Sequence, residues 1–170
     1  MNDRQVTMKG EPITLIGNRV DEGSKAPDFI VIDEDLSAVP FSSLNGAPCI
    51  ISSVVSLDTP VCDKQARRFN EAALDLASGL NIYVISMDLP FAQKRWCGAA
   101  ETDRIQTFSD HRDASFGTSY GVLIKDLRLL ARAAFVVDAD SVIRYGEIVP
   151  EVTDHPDYDR LFQAVREVTG

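Results

Sequence analysis

Apolar residues recur along this chain in two rhythms. Short alternating or continuous runs are the signature of strands, and longer runs with three-to-four spacing are the signature of half-buried helices. Gln5 to Met8 and Pro12 to Ile16 are joined around Lys9-Gly10-Glu11 and predict a β-hairpin over about residues 4–17. Polar Asn18 to Pro27 predicts a loop, Phe29 to Ile32 a strand, and Val39 to Phe41 a second short strand. Ala47 to Val55 is almost wholly apolar, as in a central strand covered on both faces. From Val61 to Leu76 the spacing changes. Cys62, Ala66, Phe69, Ala73 and Leu76 form one buried stripe of a helix, which Ser78-Gly79 should stop.

Asn81 to Met87 predicts another buried strand. Asp88-Leu89-Pro90 then opens a short helix expected to end at Cys97-Gly98. Ile105 to Phe108 reads as a short strand, and Asp113 to Tyr120 as a helix closed by Gly121. Leu130 to Val137 predicts a strand that Asp138 to Ser141 turns back into Val142 to Val149 as a hairpin. Pro156 or Asp157 opens a last helix reaching Val168. Strands alternating with helices, then a hairpin and a helix, predict an α/β sheet sandwiched by helices.

A length of 170 residues suits a single domain, residues 1–170, with a substantial core. The formal net charge of −9 argues against nucleic acid or an anionic membrane as partner. No run of about 18 apolar residues is present, so no membrane span is expected. The start, Met1 to Gly10, lacks the apolar centre of a signal peptide, and a cytoplasmic site is the expectation. The three cysteines include no Cys-x-x-Cys, which suits a reducing compartment and argues against zinc. His111 and His155 are not at ligand spacing with them or with each other. Neither a metal nor an organic cofactor is expected.

Candidate chemistry centres on Ser56-Leu57-Asp58-Thr59-Pro60-Val61-Cys62. Thr59 suits the N-cap of the following helix and Pro60 its first position, which puts Cys62 third. Free amides and the helix dipole there favour thiolate, the nucleophilic form. The competing interpretation makes Cys62 a small buried hydrophobe. Asp58 and Asp63 lie close in sequence and would oppose a thiolate. Gln65 and Ala66 occupy the places three and four residues on, so any stabilising cation must come from elsewhere in the fold.

Arg132, inside the apolar run Leu129 to Val137, is a candidate for that cation, because a buried charge needs a partner. Alternatively it snorkels from an exposed strand end. Cys97 at a helix C-terminus is favoured as thiol, the inverse of Cys62. That inequality suits an attacking and a resolving sulfur, and Gly98-Ala99-Ala100 would let the second segment swing. Simple packing of Cys97 is the other possibility. Cys49, in the central strand, is expected only to pack. A Cys–His hydrolase is a further alternative, though neither His111 nor His155 has the local context of a base.

The run Ser56 to Cys62 resembles the peroxidatic motif of the bacterial thiol peroxidases, the atypical two-cysteine peroxiredoxins. Asp88 to Ala99, read Asp-Leu-Pro-Phe-Ala-Gln-Lys-Arg-Trp-Cys-Gly-Ala, resembles that family's resolving-cysteine segment. Leu130-Ala131-Arg132-Ala133 resembles its arginine-bearing strand, and Asp154 to Tyr158 the start of its last helix. The likeness runs from about Val6 to Glu167. One position departs: the family usually has proline seven residues before the peroxidatic cysteine, where this chain has Val55.

The resemblance implies a thioredoxin-like fold, a central mixed sheet flanked by helices with an N-terminal β-hairpin. It implies reduction of hydroperoxides, alkyl or lipid peroxides and hydrogen peroxide among them. Cys62 would be the peroxidatic and Cys97 the resolving cysteine, with Thr59 and Arg132 as polar frame. An intramolecular Cys62–Cys97 disulfide would follow, recycled by thioredoxin, in a homodimer. Because bonded cysteines need Cα atoms within about 7 Å, one or both helix turns should unwind during turnover. A non-peroxidatic thiol–disulfide switch and a catalytically idle binding domain of the same shape are the alternatives.

Overall fold

The computed structural model describes residues 4–44, 46–75, 79–100 and 105–169. Its centre is strand β5 (Cys49–Ser53), buried at every position, as the apolar run requires. Helix α1 (Pro60–Asp75) carries the chain to β6 (Asn81–Ser86), and α2 (Pro90–Ala100) carries it to β7 (Gln106–Ser109). These three strands run parallel, Ile50 facing Ile82 and Val84 facing Thr107. On the other flank β9 (Ala133–Val137) is antiparallel to β5, and β10 (Ile143–Ile148) is antiparallel to β9. Strands β3 (Ile30–Ile32) and β4 (Ala38–Pro40) extend the β7 edge, giving seven strands in the order β10-β9-β5-β6-β7-β3-β4. The sheet is therefore mixed, with crossover helices on its parallel part, the thioredoxin-like arrangement anticipated.

The expected hairpin is β1 (Arg4–Met8) and β2 (Glu11–Ile16), turned by Lys9-Gly10. Its third strand, β8 (Leu123–Ile124), has too few residues for a legible pattern. The N-terminal sheet is laced to the last loop, since Thr7 N–H donates to Pro150 and Val152 N–H donates to the Thr7 carbonyl, both at 2.8 Å. Helix α1 packs on α4 (Tyr158–Thr169) through Phe69, whose ring centroid lies 5.9 Å from Tyr158 and 6.2 Å from Phe162. Asp157 caps α4, its Oδ1 accepting from Arg160 N–H at 3.1 Å. The expected end of α1 at Leu76 to Ser78 lies outside the described residues.

Three expectations are corrected. The strand predicted from Leu130 begins only at Ala133. Leu130 instead bridges Leu123, and Ala131 N–H donates to Val122 at 2.8 Å, so the chain crosses from the small sheet to the large one at Arg132. Helix α2 does not end at Cys97-Gly98 but continues through Ala100. Helix α3 (Ser115–Tyr120) starts after Asp113, because Ala114 takes a left-handed conformation with φ 49°.

Asp110 holds the start of α3, its two oxygens accepting from Phe116 and Gly117 N–H at 3.0 and 2.8 Å. Burial outweighs these bonds and pushes its carboxyl from 3.8 up to about 6. The folded protein keeps this proton to higher pH than the unfolded chain does. The corresponding stability is full below about pH 4 and is lost as pH rises through about 6, on the order of 3 kcal/mol. Asp110→Asn is expected to flatten that decline in urea unfolding. An unchanged pH slope in the variant would exonerate Asp110.

Candidate active site

The loop from Val54 to Thr59 leaves the end of β5 and is fixed by a residue far away in sequence. Asp88, just after β6, accepts from the Ser56 hydroxyl at 2.7 Å and from Leu57 N–H at 2.8 Å. Thr59 stands at the N-cap position, and Asp63 N–H closes the first turn of α1 on its carbonyl at 2.9 Å. The Thr59 hydroxyl donates to the Ser56 carbonyl at 2.9 Å, which leaves its lone pairs to accept. Pro60 opens the helix, and Cys62 falls third, as expected.

Cys62 is completely buried, and its Sγ lies 3.1 Å from an Arg132 guanidinium nitrogen. Arg132 is 1% exposed, which excludes a snorkelling role. Its Nε donates to the Val152 carbonyl at 2.9 Å and its second terminal nitrogen to Gln65 Oε1 at 2.6 Å. Gln65 Nε2 in turn donates to the Ser52 hydroxyl in β5 at 2.5 Å. Arginine only donates, so this chain fixes which way the Gln65 amide faces. Among the described residues no carboxylate pairs with Arg132, which makes the Cys62 sulfur its nearest candidate anion.

Beside Thr59 and Arg132 the surface opens into an almost wholly apolar cavity of about 360 Å³. Val55 and Leu129 form its walls with Met8 and Lys9 from the tip of the β1–β2 hairpin. Sequence patterning gave no sign that the hairpin reaches the site.

Cys97 is not brought to Cys62. It sits partly buried in α2, 3.5 Å from the Thr107 hydroxyl, and lines a separate groove of about 440 Å³ with Asp33, Asp35, Leu44 and Phe108. It lies seven residues into its helix, roughly 10 Å along the axis from Pro90. All three cysteines are free thiols. Burial pushes the Cys49 thiol up to about 12, so Cys49 packs and does not react. Asp63, expected to oppose a thiolate, is taken up by Trp96 and Arg67. His155 bonds to the Tyr158 hydroxyl at 2.7 Å, and burial with the nearby Arg132 and Lys64 charges holds it below its ordinary range. The hydrogen bond found at the Cys62 sulfur comes from Arg132 rather than from a histidine.

Gln65, Val152 and Asp88 escaped sequence reasoning. For Gln65 a signal existed: a polar side chain three residues after Cys62 lies on the buried stripe. Nothing local marks Val152 or Asp88, which act through contacts made across the fold.

The chain is similar to known proteins over nearly its whole length. A model of the Redoxin family matches residues 21–162. A thiol peroxidase of Halalkalibacterium halodurans is 51% identical over 161 residues, covering 95% of this chain and 96% of that protein. A thiol peroxidase of Bacillus subtilis is 49% identical over 162 residues, with the same coverage of 95% and 96%. The crystal structure of a peroxiredoxin-like protein from Aquifex aeolicus, 37% identical, superposes with a TM-score of 0.89 over 97% of each chain. Likeness of this extent to proteins named as peroxidases does not favour a non-peroxidatic redox switch. The chain belongs to the Redoxin family, among its bacterial thiol peroxidases.

Proposed function

We propose that this thiol-dependent peroxidase works through Cys62, with Cys97 of the same chain as resolving cysteine and with Thr59 and Arg132 framing the peroxide. Cys62 thiolate attacks the terminal oxygen of a hydroperoxide in line with the O–O bond. The O–O bond breaks, Cys62 becomes sulfenic acid, and the other oxygen leaves as alkoxide or hydroxide, which takes a proton from solvent to give the alcohol or water. Thr59, whose hydroxyl donates to the Ser56 carbonyl, accepts a hydrogen bond from the peroxide O–H. Arg132 donates to the oxygens as negative charge develops on them, an oxyanion-hole role.

Cys97 thiol then displaces hydroxide from the sulfenic sulfur. An S–S bond replaces the S–O bond, and the Cys97 proton leaves in water. A dithiol protein of the thioredoxin type restores both thiols by exchange. The apolar cavity supports alkyl and lipid hydroperoxides as substrates beside hydrogen peroxide. Exposed Leu89 and Phe91, beside the loop that Asp88 fixes, support a homodimer. The bridge between Thr7 and Glu151 supports the hairpin and the main sheet working as one domain, residues 1–170. Three free thiols suit a reducing cytoplasm. Among the described residues no helix is long and apolar enough to cross a membrane.

The observation that carries this proposal is the fully buried Arg132, whose charge faces the Cys62 sulfur at 3.1 Å. Stopped-flow oxidation of the reduced protein, with mass mapping of the product, tests it. Two thiols should disappear for each peroxide, leaving a Cys62–Cys97 link. Both thiols remaining free, or a link through Cys49, would refute these assignments.

A further inference from the structure

We propose that Asp63, Trp96 and Arg67 form a latch between the two cysteine-bearing helices, whose opening limits disulfide formation and so sets how readily Cys62 is overoxidised. The latch presupposes the roles proposed above for Cys62 and Cys97.

Asp63 follows Cys62 directly and Trp96 precedes Cys97 directly. The Trp96 indole Nε1–H donates to Asp63 Oδ1 at 2.7 Å. Arg67, one turn further along α1, donates to the other Asp63 oxygen at 2.9 Å. Its guanidinium carbon lies 5.9 Å from the Trp96 ring centroid. Trp96 is only 9% exposed, so its hydrogen bond to a carboxylate is largely shielded from water.

While these contacts hold, α1 and α2 are pinned at the residues beside both sulfurs. Cys62 then faces Arg132, and Cys97 faces Thr107 on another wall of the fold. A disulfide requires both sulfurs to leave these partners and meet at bonding distance. The turns carrying Cys62 and Cys97 cannot unwind toward each other while Asp63 and Trp96 remain joined. The latch is a feature of the reduced protein and opens after Cys62 is oxidised.

Two reactions compete for the sulfenic acid. Attack by Cys97 gives the disulfide and water. A second hydroperoxide instead adds its oxygen to give sulfinic acid, and is itself reduced to the alcohol. A slower latch leaves more time for the second reaction.

Trp96→Phe keeps an aromatic ring but removes the donor. It is expected to accelerate disulfide formation about tenfold, the worth of one charge-assisted bond. The peroxide concentration giving half sulfinic acid should rise by a similar factor. The rate of Cys62 oxidation should stay within about twofold, because the indole does not touch the sulfur. Removing a contact present only in the reduced state should also make the Cys62–Cys97 potential more negative, by about 30 mV for a tenfold change. Arg67→Met, at a half-exposed position, should act in the same direction more weakly, about threefold.

Rapid quench with mass analysis reads both steps in both variants. In the unsubstituted protein and in Arg67→Met, emission from Trp96, the single tryptophan, should change with the disulfide phase and not with the sulfenic phase. Unchanged disulfide rates and sulfinic yields in both variants, with the Cys62–Cys97 link still formed, would overturn the latch alone. Absence of that link in the unsubstituted protein would overturn the latch together with the cysteine assignments.

Discussion

Cys62→Ser is expected to abolish peroxide consumption, reducing it by several orders of magnitude to the uncatalysed level. A serine hydroxyl is not ionised near neutral pH and needs a neighbouring base to become a nucleophile. The group beside this sulfur is a cation, Arg132, which stabilises an anion already formed but takes no proton from a hydroxyl. Cys97→Ser should behave quite differently. Its first oxidation by peroxide should proceed at a rate within about twofold of the unsubstituted protein, because Cys97 lies against Thr107 and away from the apolar cavity. Cycling with thioredoxin should then stop, and excess peroxide should carry Cys62 to sulfinic acid. Steady-state turnover equal to the unsubstituted protein would remove Cys97 from the cycle. Single-turnover stopped flow and a coupled thioredoxin assay separate the two outcomes.

Arg132→Met is expected to slow the attack step by about 10²- to 10³-fold, the usual cost of losing a preorganised donor to developing charge. Its effect on stability should be much smaller, because two contributions oppose each other. The substitution strands the Val152 carbonyl and Gln65 Oε1, at roughly 1–3 kcal/mol for each unsatisfied group. It also relieves the fold of the desolvation cost of a buried guanidinium, which offsets part of that loss. Rate and stability therefore part company, and urea unfolding beside single-turnover kinetics will show it. Arg132→Lys should restore little. One compact ammonium cannot reach Val152, Gln65 and Cys62 together, whereas the guanidinium fork serves all three. An attack rate within about threefold of the unsubstituted protein in Arg132→Met would take Arg132 out of the site.

Much of this site was legible because its decisive signals are local. Thr59 and Pro60 mark a helix start by residue type, and that start, which makes Cys62 third, appears where expected. The apolar run around Ile50 to Val55 could be read as a central strand because burial on both faces leaves no polar alternation. Arg132 stood out as a candidate cation because it is implausible as an apolar-strand residue, and its guanidinium lies against the Cys62 sulfur. The reason it is tolerated was not legible: it stands where the chain passes between two sheets.

The sequence by itself determined which residues are candidates for the chemistry and which helices hold Cys62 and Cys97, since helix caps, apolar spacing and residue type act over a few positions. Only the tertiary structure decided the partners. It brought Gln65 and the Val152 carbonyl to the Arg132 guanidinium. It set Asp88 under the Ser56 loop and joined Asp63 to Trp96. It placed the hairpin tip on the wall of the cavity and left the two sulfurs facing different walls. These contacts span from ten to more than a hundred residues of chain. They arise from packing against a common core, and no short-range pattern encodes them.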